Sequence, residues 1–147
     1  ELKRLVQELP LGHPVRIVDG DYVPERFYAL AKGLEDLPER GLRCQKCIGH
    51  RLEETFRIAL QQPERPDYVC TTLTISPHKD AVFINTKGTE LAQQYGIAWL
   101  PTDFEKKGGY QRSIVLSREY DLYRQNFCGC VYSRLEAERR EKEMASS

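Results

Sequence analysis

The segment Tyr68-Val69-Cys70-Thr71-Thr72-Leu73-Thr74-Ile75 decides how this chain folds. It is nearly continuous in β-branched and apolar residues, which suits a strand buried on both faces of a parallel sheet. Cys70, in its middle, is expected as a small core residue, because an unbridged cysteine is among the most buried residue types. Beyond it, Ser76-Pro77-His78-Lys79 stands at the carboxyl end of the strand, where open α/β sheets place their sites. A helix through Leu91, Ala92 and Tyr95 follows, stopped by Gly96. Ile97-Ala98-Trp99-Leu100 is a second short strand, and Pro101-Thr102-Asp103-Phe104 leaves it. Strand, helix and strand in this order specify an α/β sheet with parallel strands.

Upstream, Cys44, Ile48, Leu52 and Phe56 fall four apart, and Ala59 and Leu60 continue the apolar face, so residues 44–60 read as one helix. A polar loop from Glu35 to Gly41 precedes it. Pro24 opens an earlier helix whose apolar stripe is Phe27, Leu30, Ala31 and Leu34. Val15 to Val18 alternates as a short strand, and Asp19-Gly20-Asp21 is a turn. Leu2, Leu5, Val6 and Leu9 already follow helical spacing and no Met begins the chain, so the expectation is a fragment or processed product that opens partway along a helix. Downstream, Lys106-Lys107-Gly108-Gly109-Tyr110-Gln111-Arg112 reads as a basic, flexible loop. Ser113 reads as the cap of a helix to Tyr123 carrying Leu116 and Tyr120. A charged tail helix runs from Arg134 to Lys142, with Met144 onward frayed.

The 147 residues fit one domain with room for a hydrophobic core. Lys+Arg and Asp+Glu are both 22, so formal net charge is zero and nucleic-acid binding needs a local patch. No apolar run reaches membrane-spanning length and no secretory signal is visible. Five cysteines, an odd number without such a signal, argue against a disulfide scaffold and for a reduced, cytoplasmic protein.

Four of the thiols form two pairs, Cys44-Gln45-Lys46-Cys47 and Cys128-Gly129-Cys130. Cys44 and Cys47 share one face at a helix start, where free N–H groups and the helix dipole favour thiolate. In the second pair Gly129 permits a tight turn through positive φ. Thiolates suit zinc or iron–sulfur, and the C-x-C spacing departs from the two C-x-x-C knuckles of structural zinc, which favours iron–sulfur. A redox dithiol at Cys44 and Cys47, or scattered buried thiols, explains the same residues. Asp103, at a strand terminus, is a candidate hard ligand or else a turn carboxylate. Lys106, Lys107, Arg112, Arg118 and Arg124 interleave with Tyr110, Tyr120 and Tyr123, a pattern that neutralises phosphates and stacks unpaired bases or else is an ordinary charged surface. His78 is an acid or phosphate contact, or structural. No phosphate-binding glycine motif is present.

Several stretches taken together are similar to the cobalamin-independent epoxyqueuosine reductases of the QueH type. They are Gly41-Leu42-Arg43-Cys44-Gln45-Lys46-Cys47 with Arg51-Leu52-Glu53, and Thr71-Thr72-Leu73-Thr74-Ile75-Ser76-Pro77-His78-Lys79. Leu100-Pro101-Thr102-Asp103-Phe104, Lys107-Gly108-Gly109-Tyr110-Gln111-Arg112-Ser113 and Leu116-Ser117-Arg118-Glu119-Tyr120 follow. The last is Leu122-Tyr123-Arg124-Gln125-Asn126-Phe127-Cys128-Gly129-Cys130. The match runs in the family's order from about Val15 to Ser133.

The resemblance implies a parallel-sheet, nucleotide-binding-like (HUP or Rossmann-like) three-layer fold, N-terminally incomplete, with a C-terminal helical segment. It implies reduction of the epoxide of epoxyqueuosine at the wobble position of a tRNA with a GUN anticodon, giving queuosine. A 4Fe-4S cluster and an additional mononuclear iron are implied as cofactors, together with an electron donor and neither membrane nor DNA as partner. Cys44, Cys47, Cys128 and Cys130 carry over as metal ligands and Asp103 as the aspartate. Lys107, Tyr110 or His78 would supply a proton, and Lys79, Lys106, Lys107, Arg112, Arg118 and Arg124 would hold RNA. The family's opening strand with its Cys-Cys-x-x-Cys motif, and the Asn-Pro segment after it, have no counterpart here. Thr102 and Glu105 stand where Ser and Lys are expected. Against this reading stand an RNA-binding module with a structural zinc and a metal-free dithiol redox protein.

Overall fold

The computed structural model describes residues 1–146, and the side chain of Lys107 lies outside the description. Its helices are α1 (Leu2–Glu8), α2 (Pro24–Ala31), α3 (Leu42–Leu60), α4 (Ala81–Tyr95), α5 (Gly109–Glu119) and α6 (Val131–Ala145), with strands β1 (Tyr68–Val69) and β2 (Ala98–Trp99). The chain divides into two units, Asp19–Arg112 and Glu1–Val18 with Ser113–Ser147. Among the described residues, no helix is long and apolar enough to cross a membrane.

In the Asp19–Arg112 unit, α3 buries the face that the four-residue spacing specifies: Ile48, Leu52, Phe56 and Ala59 are in the core. Leu60, assigned to the same stripe, is exposed because α3 ends there. α4 starts at Asp80, whose carboxylate accepts from the Phe83 N–H at 3.0 Å, and stops at Gly96, which takes the left-handed conformation. The two strands pair in parallel, Tyr68 with Ala98 and Val69 with Trp99, and α4 is the crossover between them. This is the expected βαβ order, reduced to a small two-stranded sheet in a mixed α/β chain. Val69, Ile84, Leu91, Ile97 and Trp99 close the core against α3. Phe56 stacks on Tyr95 and Trp99 with centroids 5.8 and 6.3 Å apart. Gly88 of α4 lies against the Trp99 ring so closely that a Cβ there would stand 2.2 Å from it.

The strand expected to run to Ile75 ends at Val69. Threonine chemistry overrides β propensity here. Thr71 Oγ1 accepts from the Leu73 N–H at 3.2 Å and starts a turn that becomes a 3₁₀ segment over Leu73–Ile75. Cys70, where the chain leaves the sheet, is therefore exposed rather than in the core. Residues 15–18 form no strand, and Val15 and Val18 stand half exposed.

The glycine-rich basic stretch is helical rather than a loop. Lys106–Gly108 is a 3₁₀ turn that runs into α5. Gly109 is needed there for space, since a Cβ would stand 1.7 Å from the Phe104 carbonyl oxygen. α5 begins four residues before Ser113, so Ser113 lies inside the helix rather than capping it. In the unit holding the C-terminal chain, α6 starts at Val131, ahead of the expected Arg134, because Cys130 serves as its N-cap. It continues past Met144 to Ala145.

Candidate functional site

The first cysteine pair sits in the opening turns of α3, both thiols half buried. The loop before α3 is fastened from two sides. Arg43, 2% exposed, donates to the carbonyls of Glu35 at 2.5 Å and Leu37 at 2.7 Å. The Lys79 ammonium meets the Glu39 carboxylate at 2.8 Å, and the Lys79 side chain is only 8% exposed. Lys79, expected on the RNA surface, is thus enclosed and engaged by Glu39. A small hollow beside Cys44 is lined by Arg40, Ile48, His78, Lys79, Asp80 and Phe83, so His78 and Lys79 do come to the Cys44 end of α3.

Asp103 stands just past β2, on a turn held by part-buried hydrogen bonds. Asn85 of α4 accepts from the Thr102 N–H at 3.1 Å and the Trp99 indole N–H at 3.0 Å, and donates to the Thr102 carbonyl at 2.8 Å. The Thr102 hydroxyl donates to the Thr71 carbonyl at 2.9 Å and lies 2.9 Å from the Thr74 hydroxyl. The Asp103 carboxylate, 31% exposed, pairs with Lys106 at 2.6 Å. Accepting that hydrogen bond, and bearing a negative charge, Asp103 raises Lys106 above the ordinary lysine range. Lys106 is consequently tied to Asp103 as well as facing solvent. Tyr110 is half buried and Arg112 exposed, on the first turn of α5. Lys107, the remaining candidate in this stretch, has its side chain outside the described residues.

The second cysteine pair belongs to the other unit. Gly129 has φ +97°, the positive value expected of the turn residue. The Cys130 sulfur accepts from the Ser133 N–H at 3.4 Å, and the Ser133 hydroxyl accepts from the Cys128 N–H at 2.8 Å. Ser133, 2% exposed, thereby holds both arms of the turn. Arg124 reaches the hydroxyls of Ser117 at 3.0 Å and Ser113 at 3.4 Å on α5, while Arg118 and Tyr123 face solvent.

None of the five cysteines is in a disulfide. The donor set has the chemistry that iron–sulfur and iron centres use: two thiol pairs and one carboxylate, each on a turn or helix start. Among the described residues, no three His, Cys, Asp or Glu side chains converge as a metal site. Two contributors escaped the sequence reading. Ser133 had a signal, since it follows Cys130 at the three-residue spacing of a helix cap. Asn85 had none, because its partners lie 14 and 17 residues away.

A model of the family described as "Epoxyqueuosine reductase QueH" matches residues 1–136. Relatives of that name include one from Streptococcus pyogenes serotype M1, 43% identical over 122 residues, covering 83% of this chain and 47% of the relative. One from Staphylococcus epidermidis is 40% identical over 124 residues, covering 83% and 51%. One from Thermotoga maritima is 39% identical over 126 residues, covering 84% and 64%. The chain thus spans roughly half to two thirds of the length of these curated relatives.

Proposed function

Since this chain belongs to the epoxyqueuosine reductase QueH family, we propose that it serves the reduction of the epoxide of epoxyqueuosine, at the wobble position of a GUN-anticodon tRNA, to queuosine. The family match over residues 1–136 carries this reading. Opening the epoxide to an alkene removes its oxygen as water, with two electrons and two protons. Cys44, Cys47, Cys128 and Cys130 would be among the ligands of a 4Fe-4S cluster and a neighbouring iron, with Asp103 as an oxygen ligand, alongside ligands from the family's Cys-Cys-x-x-Cys segment. Such a centre supplies single electrons and Lewis-acid polarisation of the epoxide C–O bond.

The chain's own residues then have defined tasks. Asp103 is presented on a rigid turn beyond the strand ends, where α/β sheets place their chemistry. The βαβ order supports a HUP or Rossmann-like arrangement for the full domain. Tyr110 and Lys107, both within seven positions of Asp103 in sequence, are the candidates for proton delivery to the leaving oxygen. Arg112, Arg118 and Arg124 neutralise phosphates of the anticodon loop, whose unstacked wobble base is open to capture. A tRNA substrate supports a cytoplasmic setting, in which an electron donor must meet the protein.

The test is anaerobic reconstitution followed by a tRNA assay. The full-length protein should develop iron–sulfur absorption and convert epoxyqueuosine in tRNA, and Cys128→Ala and Cys130→Ala should abolish both. Retention of both properties in these variants would refute the assignment, and one colourless zinc per chain would point to a structural RNA-binding module.

A further inference from the structure

We propose that Asn85 is a positioning residue that sets where the Asp103 carboxylate stands, acting through Thr102 and Thr74. The inference rests on the reading of Asp103 as a ligand of the iron centre.

A carboxamide offers two N–H donors and one oxygen with two lone pairs. Asn85 uses all four. Oδ1 accepts from the Trp99 indole N–H and the Thr102 N–H. Nδ2 donates to the Ala81 carbonyl, 2.9 Å away, and to the Thr102 carbonyl. Two of these bonds fall on the N–H and the C=O of a single residue, Thr102. Those groups belong to the two peptide planes flanking the Thr102 Cα, and the second plane runs into the Asp103 Cα. Holding both planes therefore holds the start of residue 103.

The far side of Asp103 is held as well. Thr74, 1% exposed, accepts from the Phe104 N–H on its hydroxyl at 3.4 Å and from the Glu105 N–H on its carbonyl at 3.0 Å. The hydroxyls of Thr74 and Thr102 meet at 2.9 Å, so both anchors belong to one buried network. Between the two anchored peptides, the Asp103 side chain stays outside the network and reaches solvent and Lys106. A network that fixes the backbone on either side and leaves one carboxylate projecting is how a rigid scaffold presents a ligand. The bland alternative is that Asn85 simply seats the Trp99 indole.

The experiment compares Asn85→Asp, Thr102→Val, Thr102→Ser and Trp99→Phe in the anaerobically reconstituted protein. The readouts are amide hydrogen exchange at Phe104 and Glu105, iron bound beyond the cluster's own complement, and cluster absorbance. Asn85→Asp turns both donors into acceptors facing carbonyls, and Thr102→Val removes the shared hydroxyl. Each should speed exchange at Phe104 and Glu105 by at least roughly tenfold, the signature of local opening. Each should also lose at least about half of the extra iron while cluster absorbance holds, as loss of ligand support predicts. Thr102→Ser keeps the hydroxyl and should behave as wild type, and Trp99→Phe should retain the extra iron. Unchanged exchange in Asn85→Asp, or equal loss of extra iron in Trp99→Phe, would overturn the inference. Asp103→Asn, run in parallel, separates the two readings. If it keeps the extra iron, Asp103 is no ligand and the role toward iron falls with it, while the exchange data still decide whether Asn85 holds the turn.

Discussion

Two helical glycines offer a sharp test of the packing described above, because the same substitution should act in opposite directions at them. Gly88 in α4 and Gly49 in α3 are both buried. On local grounds, alanine is the better helix former at either position by about 1 kcal/mol. At Gly49 the new methyl would meet only the aliphatic part of Lys87, at 3.7 Å, an ordinary contact with a flexible side chain. Gly49→Ala should thus be neutral to stabilising, by up to about 1 kcal/mol. At Gly88 the methyl would stand 2.2 to 2.7 Å from three atoms of the Trp99 ring. The indole must move, and overpacking of this kind typically costs about 1–3 kcal/mol. Its movement also weakens the hydrogen bond to Asn85, adding about 1 kcal/mol, and loosens the stacking on Phe56. Against the helical gain, Gly88→Ala should destabilise by about 1–3 kcal/mol net. Trp99 is the sole tryptophan, so urea unfolding followed by its fluorescence reports on the affected core directly. A Gly88→Ala protein as stable as Gly49→Ala, with an unchanged native emission spectrum, would refute the packing argument.

Acid stability should respond to Tyr95→Phe. The Tyr95 hydroxyl donates to Glu53 at 2.9 Å and, with Arg57 beside it, holds Glu53 below the usual carboxylate range. A depressed folded-state value contributes stability above the unfolded value of about 4.5 that is lost as pH falls through the folded one, so the wild-type advantage should be full at neutral pH and fade below about 4.5 in pH-dependent urea unfolding. Asp103→Asn should return Lys106 toward the ordinary lysine value, read by NMR titration of its Nζ; an unmoved Lys106 would contradict the ion pair. Cys70→Ser should change stability by no more than about 0.5 kcal/mol and remove a thiol that labels readily in the native protein, as an exposed position requires. Slow labelling of Cys70 would contradict the early end of β1.

Helix faces were legible because they are local. The four-residue spacing from Cys44 to Phe56 and the stop at Gly96 need no knowledge of distant residues, and both correspond to the observed α3 and α4. The strand at Tyr68 stops short because β propensity in Thr71 and Thr74 competes with their hydroxyls, and here the hydroxyls prevail once Thr102 is near. The Gly108-Gly109 pair misled in the opposite sense: flexibility was the expectation, whereas Gly109 admits the Phe104 carbonyl beside a helix. At the candidate site, the positive φ of Gly129 and the placement of Cys44 at a helix start followed from neighbouring residues. The supports of Asp103 and the enclosure of Lys79 did not, since they depend on contacts 17 to 40 residues apart in the chain.

The bond between the Ser133 amide and the Cys130 sulfur has a practical consequence. One atom is both the cap of α6 and the reactive end of a cysteine, so chemistry at the sulfur cannot stay silent in the backbone. Alkylation, oxidation or capture by a metal each changes what that amide feels, and an isotope-labelled Ser133 N–H becomes an internal gauge of the thiol's state. The resonance can be followed in real time without a reporter group, and in a protein that has no substrate bound.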